Sequence, residues 1–202
     1  MTCRVDTNWT YHGLCAVRLE NKFIAVTVLP ERGANIIDIT DKSRDRNLLW
    51  RSERIKPHAV TLKADFDDHW AGGWDDIFPT GRPCKNEYGD PLPYLGELWS
   101  IPHDFIVLQD NDDVVQIKTF VKTPITPAYF SRTITLQQDS DEVVFEYEIK
   151  NIGTMPFRFQ WGIHPVFAVT PQSRVILPSK NALVDEWLGG AFGEEGETFQ
   201  WP

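Results

Sequence analysis

Short runs in which apolar and polar residues alternate recur along the chain. In one of them Val143, Phe145, Tyr147 and Ile149 alternate with Val144, Glu146, Glu148 and Lys150. A period of two gives a strand with one face buried and one face wetter. Similar runs over 23–29, 34–40, 99–108, 114–121, 129–136, 142–150 and 155–163 predict strands, with two more at 174–177 and 183–187. Turn residues separate them, among them Pro30-Glu31-Arg32-Gly33, Asp41-Lys42-Ser43 and Asn151-Ile152-Gly153-Thr154. No segment carries a helical stripe of ten or more residues. The predicted fold class is therefore all-β, an antiparallel β-sandwich. The stretch 63–95 departs from the pattern, being long, rich in Gly, Pro and Asp, and poor in alternation. Loops of that length inside a compact domain are uncommon and often functional. At the other end, Gly189-Gly190-Ala191-Phe192-Gly193-Glu194-Glu195-Gly196 is acidic and glycine-rich, with no capping strand after it. The expectation is one sandwich domain over 1–202, incomplete at its C-terminus and lacking C-terminal strands.

Composition narrows the function classes. A hydrophobic fraction of 42% over 202 residues is enough for one large core. Twelve Phe and eight Trp favour strands, and those not needed for packing can stack on flat apolar ligand faces. The formal net charge is −9 and no basic stripe stands out, which argues against nucleic acid and against an anionic membrane surface as partners. Cys3, Cys15 and Cys84 are odd in number and match no zinc spacing. Met1-Thr2-Cys3-Arg4-Val5-Asp6 has no apolar h-region, and no apolar run reaches membrane-spanning length. The expectation is a cytoplasmic protein with free thiols. No phosphate-binding glycine loop, nucleophile elbow or catalytic cysteine signature is present, and no cofactor is expected. Asp67-Asp68-His69 invites a metal reading, but three adjacent residues rarely ligate one ion, so no metal is expected. His12, His58 and His103 are isolated and receive no role.

Three constellations could hold a small polar ligand. If 157–164 is a strand, Phe157, Phe159, Trp161 and Ile163 share one face, and Arg158, Gln160, Gly162 and His164 share the other. The second face then carries a cation, an amide, a gap and an imidazole, and Pro165 ends the ladder just after. A sugar offers hydroxyls to such groups and C–H faces to aromatics, while a structural histidine beside a bulge fits equally well. The second constellation is Gly72-Gly73-Trp74-Asp75-Asp76-Ile77-Phe78-Pro79-Thr80-Gly81-Arg82. There Trp74 could stack on a sugar, Arg82 could contact it, and Asp75 and Asp76 could accept its hydroxyls. Two adjacent carboxylates face opposite ways in an extended chain and converge only in a loop. The bland alternative is an Asx-turn with a buried Trp. The third is Tyr94-Leu95-Gly96-Glu97-Leu98-Trp99-Ser100, where Glu97 and Trp99 share a side, as ligand groups or as an exposed Glu at a strand start.

At these residues the chain resembles the aldose 1-epimerase (galactose mutarotase-like) family. The stretch Ala25-Val26-Thr27-Val28-Leu29-Pro30-Glu31-Arg32-Gly33-Ala34-Asn35-Ile36-Ile37-Asp38-Ile39 is similar to that family's first strand pair. Asn151-Ile152-Gly153, Pro156-Phe157 and Gly162-Ile163-His164-Pro165-Val166-Phe167 follow its N-x-G…P…G-x-H-P-x-F pattern. The segments 73–79 and 96–99 look like a less studied branch. The resemblance implies a large antiparallel supersandwich that interconverts sugar anomers without a cofactor. His164 would be the catalytic acid that protonates the ring oxygen, and a carboxylate would be the base. Trp74, Asp75, Asp76, Arg82, Glu97, Trp99, Arg158 and Gln160 are the expected substrate contacts, and a small-molecule sugar is the expected partner. Two departures stand out. Leu95 occupies the place of a family histidine, and the family's base is a Glu near the C-terminus of a longer chain. Glu97, Asp75 and Asp76 are the candidate substitutes. The alternatives are an isomerase, a binder that kept the cleft without the chemistry, and a degenerate fragment.

Overall fold

The computed structural model describes residues 2–62, 64–185 and 193–201. They divide into two compact units, 1–168 and 169–202. The first opens with a hairpin of β1 (Arg4–Tyr11) and β2 (Leu14–Glu20). Neither strand was expected. β1 is largely polar and exposed, and β2 is buried at five of its seven positions, so neither shows a clean alternation. β3 (Ile24–Leu29) follows as expected and is buried on both faces. A 3-10 turn, Pro30–Arg32, closes on Gly33 at φ 65 and leads into β4 (Asn35–Asp41) and the short β5 (Arg46–Asn47).

The expected loop 63–95 contains more structure than its composition suggests. It holds a four-residue helix α1 (Phe66–His69), the strand β6 (Trp74–Ile77), and a small hairpin of β7 (Cys84–Lys85) and β8 (Pro91–Leu92). Residue 63 lies outside the described residues. A second 3-10 turn, Leu98–Ser100, takes up the start of the expected strand 99–108, so β9 (Asp104–Asp110) begins later. β10 (Val114–Lys122), β11 (Ala128–Gln137) and β12 (Val144–Asn151) match expectation closely. The expected strand 155–163 is replaced by the shorter β13 (Gly162–Pro165).

Among the described residues, one sheet runs β1-β2-β3-β4-β6-β13, with β5 on β4, and the second runs β12-β11-β10-β9. All pairings between these strands are antiparallel. The sheets face each other and form no closed barrel. Val17, Leu19, Val26, Val28 and Ile36 from the first meet Val115, Ile117, Ile134 and Leu136 from the second. Each such side chain contributes on the order of 1.5–3 kcal/mol by leaving water. The all-β antiparallel sandwich is therefore as expected.

The second unit contains an antiparallel hairpin of β14 (Asn181–Leu183) and β15 (Thr198–Gln200). Val184 is buried there, and its N–H donates to the Glu197 carbonyl at 2.8 Å. No strand forms over 174–177, where the residues are exposed. The expected strand 183–187 starts within β14, and residues 186–187 lie outside the described residues, as do 189–192 of the glycine-rich stretch.

Candidate functional site

β6 is extended, so its side chains alternate between the two faces of the first sheet. Trp74 and Asp76 turn toward the second sheet. Trp74 packs in the main core with its ring 4.8 Å from that of Phe145. The Asp76 carboxylate accepts from Arg132 Nη1 at 2.8 Å and from the Tyr147 hydroxyl at 3.3 Å, and Arg132 Nη2 donates to the Ala34 carbonyl. Both charges are almost fully buried. Burial pushes the Asp76 carboxyl up, and Arg132 opposes that. Burial, with Asp76 next to it, pushes the Tyr147 phenol up as well.

Asp75 turns the other way. It lies directly opposite His164 in the β6–β13 register, so the two side chains share the outer face. Asn35, at the start of β4, donates from Nδ2 to Asp75 Oδ1 at 2.9 Å and to the Gly72 carbonyl at 3.1 Å. Arg32, in the 3-10 turn, brings Nη1 to 3.9 Å from the same carboxylate oxygen. The guanidinium also lies 4.7 Å from the Trp99 ring and donates to the carbonyls of Trp99 and His69. Burial raises the Asp75 carboxyl above its usual range, against Arg32, the Asn35 amide and His164, in that order of effect.

The chain reaches this position through Gly72 and Gly73, at φ 88 and 82. A Cβ on Gly72 would lie 2.5 Å from the Trp50 carbonyl oxygen, and one on Gly73 would lie 2.6 Å from that of Ile36. Only glycine combines that backbone conformation with that approach.

Aromatic rings surround the pair. Phe66 and Trp70, at either end of α1, each place a ring 6.0 Å from the half-buried His164 imidazole. Phe66 also meets Trp99 edge-on at 5.1 Å, and Trp50 lies 5.4 Å from Trp70. The carbonyl of His69 is tied to Arg32, and its ring Nδ1 lies 2.8 Å from His58 Nε2. Leu95, at φ 58, packs against Phe66 and Trp99.

Several buried polar atoms here have no hydrogen-bond partner among the described residues: Asp75 Oδ2, Arg32 Nε, Asn35 Oδ1, Trp70 Nε1 and His164 Nδ1. Leaving such an atom unpaired costs about 1–3 kcal/mol. Donors and acceptors are mixed, which matches the two-way hydrogen bonding of hydroxyl groups.

The remaining expected contacts fall elsewhere. Glu97 is fully buried, and its carboxylate accepts from the Ile125 and Thr126 amides at 2.7 and 3.0 Å. Trp99 is buried with Nε1 donating to the Tyr94 carbonyl at 3.2 Å, and it reaches the site only through Arg32 and Phe66. Gln160 lies on the face of His164, further along the ribbon, where its Oε1 accepts from the Gly81 amide at 3.2 Å. The Arg158 amide donates to Glu87 Oε1 at 2.6 Å. Arg158 and Gln160 line a groove of about 360 Å³. Arg82 belongs to the exposed turn beside it, where its amide donates to Thr80 Oγ1 at 3.2 Å. Of the nine expected residues, the structure thus brings Asp75 and His164 together directly.

No protein-family model matches the chain. Solved structures share its architecture. A galactose mutarotase-like protein from Lactobacillus casei is 16% identical and superposes over 93% of this chain and 64% of its own, with a TM-score of 0.61. A galactose mutarotase-like protein from Clostridium acetobutylicum is 14% identical over 82% of this chain and 54% of its own, at 0.59. The fold is galactose mutarotase-like. A TPR-domain containing protein from Parabacteroides distasonis, 15% identical, matches 69% of this chain and 21% of its own at 0.53. The chain spans less than two thirds of the length of each.

Within this mutarotase-like fold, Arg32, Asn35, Phe66 and Trp70 are residues of the candidate site that sequence reasoning passed over. Arg32 and Asn35 sit in a run read only as a strand pair and its turn. A cation between an apolar strand and a left-handed Gly is the one local hint, since nothing in a solvated turn requires it. Phe66 and Trp70 fall in the long loop, where aromatic content was the available signal.

Proposed function

We propose that this chain is a carbohydrate-binding isomerase of the aldose 1-epimerase type, with His164 as acid and Asp75 as base. The observation that supports this best is the cross-strand placement of Asp75 opposite His164, ringed by buried polar atoms without partners. His164 donates a proton to the ring oxygen of the sugar. Asp75 takes the proton from the anomeric hydroxyl. The bond between the anomeric carbon and the ring oxygen breaks, and the O–H electron pair becomes the carbonyl. Rotation of the open chain and reversal of both transfers give the other anomer. Protons balance over the cycle, and no cofactor is required. Positioned acid–base groups of this kind contribute about 10²–10⁴-fold.

Burial supports the assignment of Asp75, because a raised carboxyl is a stronger base than a solvated one. Arg32 and Asn35 keep it oriented. Trp70, half-buried and packed on Phe66, offers an apolar plane to the C–H face of the ring. The partner is a small-molecule sugar. The charge of −9 gives no basis for binding nucleic acid or an anionic membrane. None of the described helices is long and apolar enough to cross a membrane. The unpaired Cys3, Cys15 and Cys84 support a cytoplasmic location.

A second reading, a binder without turnover, is favoured by one observation. Leu95 fills its position with apolar packing and donates nothing to a ligand. Polarimetry separates the two. Fresh α-glucose or α-galactose should lose optical rotation faster with the protein than in buffer, and Asp75→Asn or His164→Ala should abolish the difference. Sugar-dependent tryptophan quenching without such acceleration would favour the binder.

A further inference from the structure

Asp75 is only 1% exposed. His164 lies across from it, and the rings of Phe66 and Trp70 stand 6.0 Å from the imidazole. A sugar hydroxyl cannot reach a carboxylate that water does not reach, so part of this cover has to move. The strands are held in their ladders, whereas α1 is a single turn, and a helix that short is not stable by itself in water. Contacts set its place. Phe66 packs against Leu95 and Trp99, and Asp65 caps the Asp67 amide at 2.9 Å. The His69 carbonyl accepts from Arg32 Nη2 at 3.2 Å, and the His69 ring meets that of His58. His58 is exposed and His69 half-buried, so this last contact is open to protons from solvent.

The geometry of the two rings fixes how many protons they can share. His58 Nδ1 lies 2.8 Å from the Lys56 carbonyl, which only accepts, so Nδ1 carries a proton. Nε2 of a neutral His58 is then an acceptor, and His69 Nδ1, 2.8 Å away, is the donor. One added proton settles on His69 Nε2 and leaves that bond intact. A second has only His58 Nε2 to go to, where it meets the N–H of His69. Two N–H groups cannot point at each other across 2.8 Å. The bond therefore survives the first proton and is lost with the second.

The charged groups around the pair come from several elements. Asp65, Asp67 and Asp68 flank His69. Glu53, Arg54 and Lys56 precede His58 in its own segment. Arg32 holds the His69 carbonyl. Burial, with Asp67 near it, pushes the Tyr94 phenol up, so that group stays neutral. The carboxylates favour the first proton on the pair but do not remove the clash made by the second. We propose that α1 is a gate over Asp75 and His164, fastened by the His58–His69 hydrogen bond and released when both imidazoles are protonated. As a gate to catalysis it rests on the acid–base reading given above, whereas the latch itself does not. Imidazoles change charge between about pH 5 and 8, so the latch is shut at the upper end of that range and opens toward the lower.

The test is hydrogen exchange of residues 66–70 at about pH 8 and about pH 5, corrected for intrinsic rates and referred to β10 and β11, in the parent, His58→Ala and His58→Gln. Both substitutions fall on an exposed side chain. The Gln Oε1 accepts in the place of Nε2 and takes up no proton. Protection in the parent should fall about tenfold between the two pH values, the worth of one hydrogen bond. His58→Ala should be low at both, and His58→Gln high at both. At the upper pH, association of glucose or galactose, followed by stopped-flow tryptophan quenching, should be about tenfold faster in His58→Ala than in the parent and unchanged in His58→Gln. Equal protection in all three proteins at both pH values overturns the latch. A loss in His58→Ala that the parent does not copy at the lower pH overturns it as well. The predicted protection pattern with equal association rates overturns the gate. That pattern with no turnover and no quenching by any sugar leaves the latch standing and overturns the acid–base reading.

Discussion

Asp75 and Asp76 are adjacent, chemically identical and equally buried, yet they sit in opposite circumstances. On the inner face of β6, Asp76 has a guanidinium and a phenol as partners, and its pairing ties one sheet to the other. On the outer face, Asp75 is held through one oxygen by Asn35 and Arg32, and its other oxygen has no partner among the described residues. Burial alone does not separate these two carboxylates. The number of satisfied oxygens does, because a buried group with unused hydrogen-bonding capacity is costly unless something else uses it.

The largest effect should come from breaking the inner pair. Asp76→Ala leaves the Arg132 guanidinium buried without its counter-charge, and urea unfolding should show a loss of about 3–5 kcal/mol. An unchanged midpoint would mean that the inner pair does not hold the sheets together. Asp75→Asn should behave in the opposite way. Its loss of unfolding free energy should be smaller than that of Asp76→Ala, because the new amide oxygen can still accept from Asn35 and Arg32 keeps the carbonyls of Trp99 and His69, while any anomerase rate falls by at least about 10²-fold. A variant that loses stability and keeps its rate would reverse the roles of the two residues.

Glu97 offers a third case. Its carboxylate is already occupied by two amides, so Glu97→Gln should cost about 1.5–3 kcal/mol in unfolding experiments without altering sugar affinity. His103 sharpens the inner face from another direction. Burial, with Arg132 near it, holds its imidazole down to about 3. It is therefore neutral in the folded state, whereas the unfolded chain takes up a proton below about 6.5. Its contribution is complete above that pH and is lost as pH falls. By pH 5 the loss should be about 2 kcal/mol. Denaturation across pH 5–7 should show this slope in the parent and a flatter one in His103→Leu.

The sandwich was legible where each strand has one wet face, as in β10 to β12. It was hidden in β1 and β2, which lack a clean alternation, whereas β3 was found from its unbroken apolar run. β6 escaped notice because four residues flanked by Gly-Gly and Phe-Pro resemble a loop in composition. His164 was singled out because Gly162 and Pro165 mark it locally. Its relation to Asp75 was not, since register between strands so distant in the chain leaves no trace in either segment. The opposite orientation of the two aspartates did follow from the two-residue period, once the segment is known to be extended. Glu97 was expected as a sugar contact or an exposed strand-start carboxylate, and its burial was not foreseen because its partners, the amides of Ile125 and Thr126, are backbone atoms that no side-chain pattern announces.

The joining of β6 to β13 also bears on when the candidate site is assembled. The hairpins β1–β2 and β10–β11 close short loops, whereas residues 75 and 164 must close a loop that contains the whole second sheet. Entropy of closure grows with that length, and non-local pairings form slowly. Asp75 and His164 therefore come face to face only after most of the sandwich exists. Any anomerase activity should therefore be missing from partly folded molecules, and its recovery would time the completion of folding.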